Sequence, residues 1–164
     1  MEQVIKLGSG LQKIGVTPHL RRRVAVLRLC DGIRPETVEV PYGHFLDDFI
    51  HILEIVLLEV TSRSRLRAIV AEIASRLTAP DPQAHLLYHR QDAKRICKEL
   101  RRGNAVRAIV ADELICEITL VGRKTVLDFH HKSRLSVRSL VRLSASVEGL
   151  RGLLRALKAL RVSP

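Results

Sequence analysis

The sequence predicts an α+β domain: an antiparallel sheet of four or five strands backed by helices, with a basic, heptad-like helix at its C-terminal end. Three observations predict it. Short runs rich in Val, Ile and Leu, bounded by turn residues, fall on either side of a helical middle. One helical stretch in that middle is apolar around most of its circumference, as a helix covered on several sides must be. The last part of the chain repeats Leu and Val at alternating steps of three and four residues.

The elements follow in order. Residues 1–20, MEQVIKLGSGLQKIGVTPHL, are Gly-spaced, carry Pro18 and read as an irregular N-terminal arm or short helix. RRRVAVLRLC predicts a strand over 22–30 and TVEV a second over 37–40, paired as a hairpin around DGIRPE. A central helix runs from His44 to Thr61. A second, over about 63–77, puts Leu66, Ile69, Val70, Ile73 and Leu77 on one face before TAPDPQ breaks the pattern. A third, over about 90–102, is strongly basic and stops at Gly103-Asn104. Three strands follow over about 105–110, 114–121 and 124–130, the last two turning at Gly122-Arg123. On the middle one Leu114, Cys116, Ile118 and Leu120 share a face, and Ile115, Glu117 and Thr119 share the other, as in a sheet covered on one side. The final helix spans 134–161, and no internal repeat shows. The chain thus divides into an arm (1–20), a binding core (21–132) and a C-terminal helix (133–164).

Charge narrows the function. The 28 Lys and Arg exceed the 17 Asp and Glu by 11, a balance that suits a polyanionic partner. Residues 132–164 hold eight of those cations against Glu148 alone. No apolar run reaches the roughly 20 residues of a membrane span, and MEQVIKLGSG lacks the apolar core of a secretory signal. A cytoplasmic protein without membrane contact is expected. Cys30, Cys97 and Cys116 are odd in number and form no CxxC pair, which argues for buried thiols over a zinc ribbon or a disulfide framework.

No catalytic signature appears. GSG at 8–10 is a lone GxG, and there is no P-loop, GxSxG or HExxH. HFLDDFIHILE aligns Asp47, His51 and Glu54 on one helical stripe beside His44 and Asp48, a spacing that metal ligands share with any polar stripe on a buried helix. His85 and His89 flank LLY at i, i+4 in an expected loop, and His130-His131 at a strand end reads as part of a basic rim rather than as a ligand pair. No metal, cofactor or enzymatic activity is expected.

The binding candidates are therefore basic. On the first predicted strand Arg22, Val24, Val26, Arg28 and Cys30 alternate onto one face, apolar at its centre with Arg on both sides, next to Arg21 and Arg23. Such a strip suits unstacked bases at its middle and phosphates at its rim. Arg123, Lys124, His130 and Lys132 extend the basic rim, and Phe129, like Tyr42 and Tyr88, offers a stacking surface. In the last helix Leu140, Leu143, Val147, Leu150, Leu154 and Leu157 form an a/d seam. That seam either joins two copies as a zipper or packs on the domain's own sheet. Gly149 and Gly152 each weaken it by about 1 kcal/mol relative to Ala.

With a basic α+β core, an Arg-flanked apolar strip and a C-terminal Leu heptad helix, the chain resembles the ThermoDBP family and related single-stranded-DNA-binding proteins of hyperthermophilic archaea. The resemblance spans the architecture of about residues 20–160. It implies a hydrophobic cleft edged by basic residues, a zipper that pairs two copies, and sequence-tolerant binding of single strands without catalysis. On its terms Arg22, Val24, Val26 and Arg28 line the cleft, and Leu140 to Leu157 form the dimer contact. Single-stranded DNA, more than RNA, and a second copy of the chain are the expected partners. The alternatives are a basic subunit of a larger nucleoprotein complex, such as the small subunit of CRISPR interference complexes, and a metal-dependent nuclease.

Overall fold

The computed structural model describes residues 1–61, 84–132 and 139–162 and is α+β. The strands β1 (Gln3–Lys6), β2 (Lys13–His19), β3 (Val24–Cys30) and β4 (Pro35–Pro41) form one antiparallel sheet in chain order. Helices α1 (His44–Thr61) and α2 (Ala84–Arg101) follow. A second antiparallel meander contains β5 (Val106–Ala111), β6 (Leu114–Val121), β7 (Lys124–His131) and β8 (Val141–Ala145), and α3 (Val147–Val162) closes the chain.

The strands obey the alternation that one covered face demands. In the first sheet Ile14, Val16, Ala25, Leu27, Leu29, Val38 and Val40 point into the core. In the second the core-facing residues include Ala108, Val110, Cys116, Ile118, Leu127, Phe129, Leu143 and Ala145. Turns are made by residues suited to them. Gly122 takes φ 63° as the first central residue of the two-residue β6–β7 hairpin, the position at which a type II′ turn requires glycine. Gly103, at φ 79°, stops α2 in a Schellman arrangement in which the Asn104 N–H bonds the Glu99 carbonyl at 3.0 Å.

Each sheet is followed by a helix that serves the other sheet. α1 packs chiefly on β5, α3 packs chiefly on β1 and β2, and the two helices pack on each other. The fold is therefore a repeated four-strand-plus-helix unit with the helices exchanged, although the sequence shows no repeat. α2 adds Ile96 and Leu100 to the single core.

Three expectations are corrected and a fourth lies outside the described residues. The arm at 1–20 is two strands: Ile5, Leu7, Ile14 and Val16 are buried, and Pro18 lies beyond the residues that β1 pairs, where a strand tolerates a missing N–H. The strands among the described residues number eight, in two sheets. The predicted helix at 63–77 lies outside the described residues. The C-terminal helix begins at Val147, because Val141, Leu143 and Ala145 alternate as β8 on β7 and Ser146 caps α3 through its Oγ, which accepts the Gly149 N–H at 3.1 Å.

The seam residues change meaning accordingly. Leu140 precedes β8, Leu143 is in it, and Leu150, Leu154 and Leu157 are buried inside their own chain. Leu157 is fully covered. The zipper surface is consumed by the chain's own core. Leu157→Ala should therefore destabilise by about 2–5 kcal/mol, the range for core leucines, with a denaturation midpoint independent of protein concentration. A midpoint that rises with concentration would restore the zipper.

Candidate nucleic-acid interface

Neither α1, α2 nor α3 covers the outer face of the first sheet. Its registers place Val4, Gly15, Arg28 and Thr37 in one row, Lys6, Lys13, Cys30 and Pro35 in the next, and Thr17, Val26 and Glu39 in a third. Val24, Val26, Arg28 and Cys30 thus share a face, Val24 nearly covered, Val26 half-buried and Arg28 exposed. β3 spans about 20 Å at roughly 3.3 Å per residue. Lys13 and Arg34 stand near one end of that span, and Arg21, Arg22 and Arg23 form the β2–β3 turn at the other. Arg23 takes φ 53°, a left-handed conformation that non-glycine residues seldom adopt.

Two of the expected arginines are engaged. Arg22 Nη2 lies 2.6 Å from Glu39 Oε2, and Arg28 Nη2 lies 2.8 Å from Glu2 Oε1. Glu2 reaches Arg28 by lying over Gly15, where a Cβ would fall 2.5 Å from Glu2 Oε2. A glycine in mid-strand marks a close approach, and here the approaching group is a carboxylate. Lys6, Lys13, Arg21, Arg23 and Arg34 are exposed and make no ion pair among the described residues. Lys6, Lys13 and Arg34 were not singled out from sequence. The alternation of KIGVTPH around buried Ile14 and Val16 was the signal that could have found Lys13.

The other candidates are dispersed. Arg123 and Lys124 are exposed at the β6–β7 turn. Phe129 is fully buried on the core face of β7, edge-on to Phe49 with centroids 6.5 Å apart, and is no stacking platform. His130 is on the outer face of the second sheet, its Nε2 3.4 Å from Asp128 Oδ2 and 3.8 Å from Glu117 Oε2. Glu117 also accepts from Arg107 Nε at 3.1 Å. Lys132 is exposed at the far end of β7. Tyr42 is half-buried, and burial raises its phenol above the ordinary range. The side chains of His85, Tyr88 and His89 lie outside the described ones.

The basic helices are answered from within. Along α1, Asp47 meets Arg161 at 3.6 Å and Glu54 meets Lys158 at 2.8 Å, so two cations of α3 face α1 carboxylates, while Arg155 is exposed without an ion pair among the described residues. Glu59 holds Arg101 of α2 through two bonds, at 2.7 and 3.2 Å. The Asp47–Glu54 stripe is thus an ion-pairing surface, and no cluster of three metal-ligating groups occurs among the described residues.

Burial pushes the Cys116 thiol strongly upward, so it remains a neutral core group. In native protein iodoacetamide should label the half-exposed Cys30 and Cys97 first, and Cys116 only after unfolding. Mass spectrometry of the labelled chain checks this, and early modification of Cys116 would contradict its burial.

No family model, curated protein or solved structure matches the chain. No helix among the described residues is long and apolar enough to cross a membrane.

Proposed function

We propose that the chain binds single-stranded nucleic acid, without sequence preference and without catalysis, along the open face of the first sheet. DNA is the form that the resemblance implies. One observation carries the proposal. After α1 has neutralised cations of α2 and α3, five cations without an ion pair among the described residues stand at the two ends of a sheet face that α1, α2 and α3 leave open. Phosphates placed along such a face release counterions from the nucleic acid, which makes affinity fall with salt. Between the ends Val4, Thr17 and Val26 present small side chains on which unstacked bases can lie, beside the Glu2 carboxylate that covers Gly15. Aromatic platforms are missing from these rows, so electrostatics carries more of the affinity than stacking does.

Fluorescence anisotropy with labelled single- and double-stranded oligonucleotides at two ionic strengths tests this. Tighter binding of single strands, weakening steeply as salt rises, is expected. Equal affinity for duplex, or affinity indifferent to salt, would overturn the reading.

A further inference from the structure

Leu11 in the β1–β2 loop and Ile33 in the β3–β4 turn are 78% and 92% exposed. Leu11 lies against the turn that carries Ile33, where a Cβ on Gly32 would be 3.2 Å from Leu11 Cβ, and both residues line the same two grooves. The Ile33 turn is fixed. Asp31 Oδ1 accepts the Ile33 N–H at 2.8 Å and the Arg34 N–H at 3.0 Å, and Gly32 takes φ 97°. These two bonds, Arg34's foremost, hold the Asp31 carboxyl below the usual carboxylate range, so the turn persists into mild acid.

The two side chains form a ridge between two grooves. One, of about 900 Å³, runs toward Lys6, Lys124 and Ser146 at the start of α3. The other, of about 330 Å³, runs toward Lys13, Arg28 and Arg34. Lys6, Lys13, Arg34 and Lys124 are exposed and make no ion pair among the described residues. The nearby acids are occupied, Asp31 by the turn and Glu148 by Arg151 at 2.7 Å.

A second copy of the chain would bring like charge to this surface. A flat bilayer would touch the ridge and leave the grooves empty. Nucleic acid would answer the cations with phosphate but offers no aliphatic group to the two protruding tips. A peptide segment that alternates carboxylates with aliphatic side chains fits all three features: ridge, concavity and cationic rim.

We propose that the Leu11–Ile33 ridge, with Lys6 and Lys124 along its larger groove, docks an acidic, aliphatic segment of a partner protein. The surface adjoins one end of the proposed nucleic-acid track and shares Lys6, Lys13 and Arg34 with it, whereas Leu11, Ile33 and Lys124 belong to the ridge and its grooves alone.

The test uses the whole chain, a labelled peptide alternating Asp with Leu, phosphatidylglycerol vesicles and a labelled single-stranded oligonucleotide. Wild type is expected to bind the peptide in a salt-sensitive way. Leu11→Ser with Ile33→Ser should weaken it by about tenfold or more, as loss of two aliphatic contacts predicts, and Lys6→Glu with Lys124→Glu should do likewise. Circular dichroism confirms that these surface variants fold. The proposal falls if wild type ignores the peptide, if either double variant binds it normally, or if vesicles capture wild type more tightly than the peptide does. It also falls if the Leu11/Ile33 variant loses the oligonucleotide together with the peptide, since the ridge then belongs to the nucleic-acid track. Failure of wild type to bind the oligonucleotide sinks the nucleic-acid reading alone and leaves the peptide result standing.

Discussion

Replacing Glu2 and Glu39 with Gln tightens single-strand binding by roughly tenfold at low salt, given about 0.2–1 kcal/mol for each exposed pair that nucleic acid must otherwise displace. The two carboxylates occupy Arg28 and Arg22 on the open sheet face, at 2.8 and 2.6 Å. Gln keeps the shape of Glu and removes the charge, so both guanidinium groups become available to phosphate. Two further phosphate contacts steepen the plot of log affinity against log salt by about 1.4, at roughly 0.7 per contact on single strands. Anisotropy titrations across a salt series measure both effects. Gly15→Ala provides an independent check, because its methyl group enters the space that Glu2 occupies. It should raise affinity in the same direction with the Glu2 charge intact. If the double variant leaves both affinity and salt slope unchanged, Arg22 and Arg28 do not touch the ligand.

Gly149→Ala is expected to destabilise the fold by about 2 kcal/mol, opposite in sign to the usual effect of removing a helical glycine. In an exposed helix the change gains about 1 kcal/mol from propensity. Here the new methyl group meets the Leu7 carbonyl oxygen and comes within 2.7 Å of Leu7 Cα, and backbone cannot step aside. Leu7 is also tied to the start of α3, since its carbonyl accepts the Ser146 N–H at 2.6 Å. Overpacking of this kind costs about 1–3 kcal/mol or more. Gly152→Ala supplies the contrast. Its methyl group meets only the Ile5 Cγ2 atom, at 3.1 Å, which can rotate away, so the net change should stay within about 1 kcal/mol. Urea unfolding of both variants decides. A Gly149→Ala protein more stable than wild type would mean that α3 does not press on β1.

Those two glycines show how a correct local pattern can carry the wrong meaning. In the sequence they interrupt a heptad seam; in the fold they let α3 approach β1. The letters around Leu143 satisfy two periods at once. Leu140, Leu143 and Val147 step by three and four, while Val141, Leu143 and Ala145 step by two, and backbone pairing with β7 selects the second. β3, β6, β7 and both of their tight turns were legible because a covered face enforces alternation and glycine marks the turn. The same alternation places Phe129 with Thr125 and Leu127 on the buried face, a signal that outweighs the attraction of an aromatic residue beside two histidines. β1 and β2 were hidden by Gly8, Gly10, Gly15 and Pro18, which read as loop chemistry in isolation. The open face was only half legible. Alternation put Val24, Val26 and Arg28 together, but nothing local indicates that Glu2 and Glu39 would reach two of the arginines.

The exchanged helices also set an order of events during synthesis. The inner side of the first sheet waits for α3, which is made after every other described element. Between Pro41 and Val162, at about 5–20 residues per second, a nascent chain carries that unfinished greasy surface for roughly 6–24 s. The N-terminal half cannot mature ahead of the rest, so a shortened transcript lacking the final helix should yield a product that aggregates or is degraded.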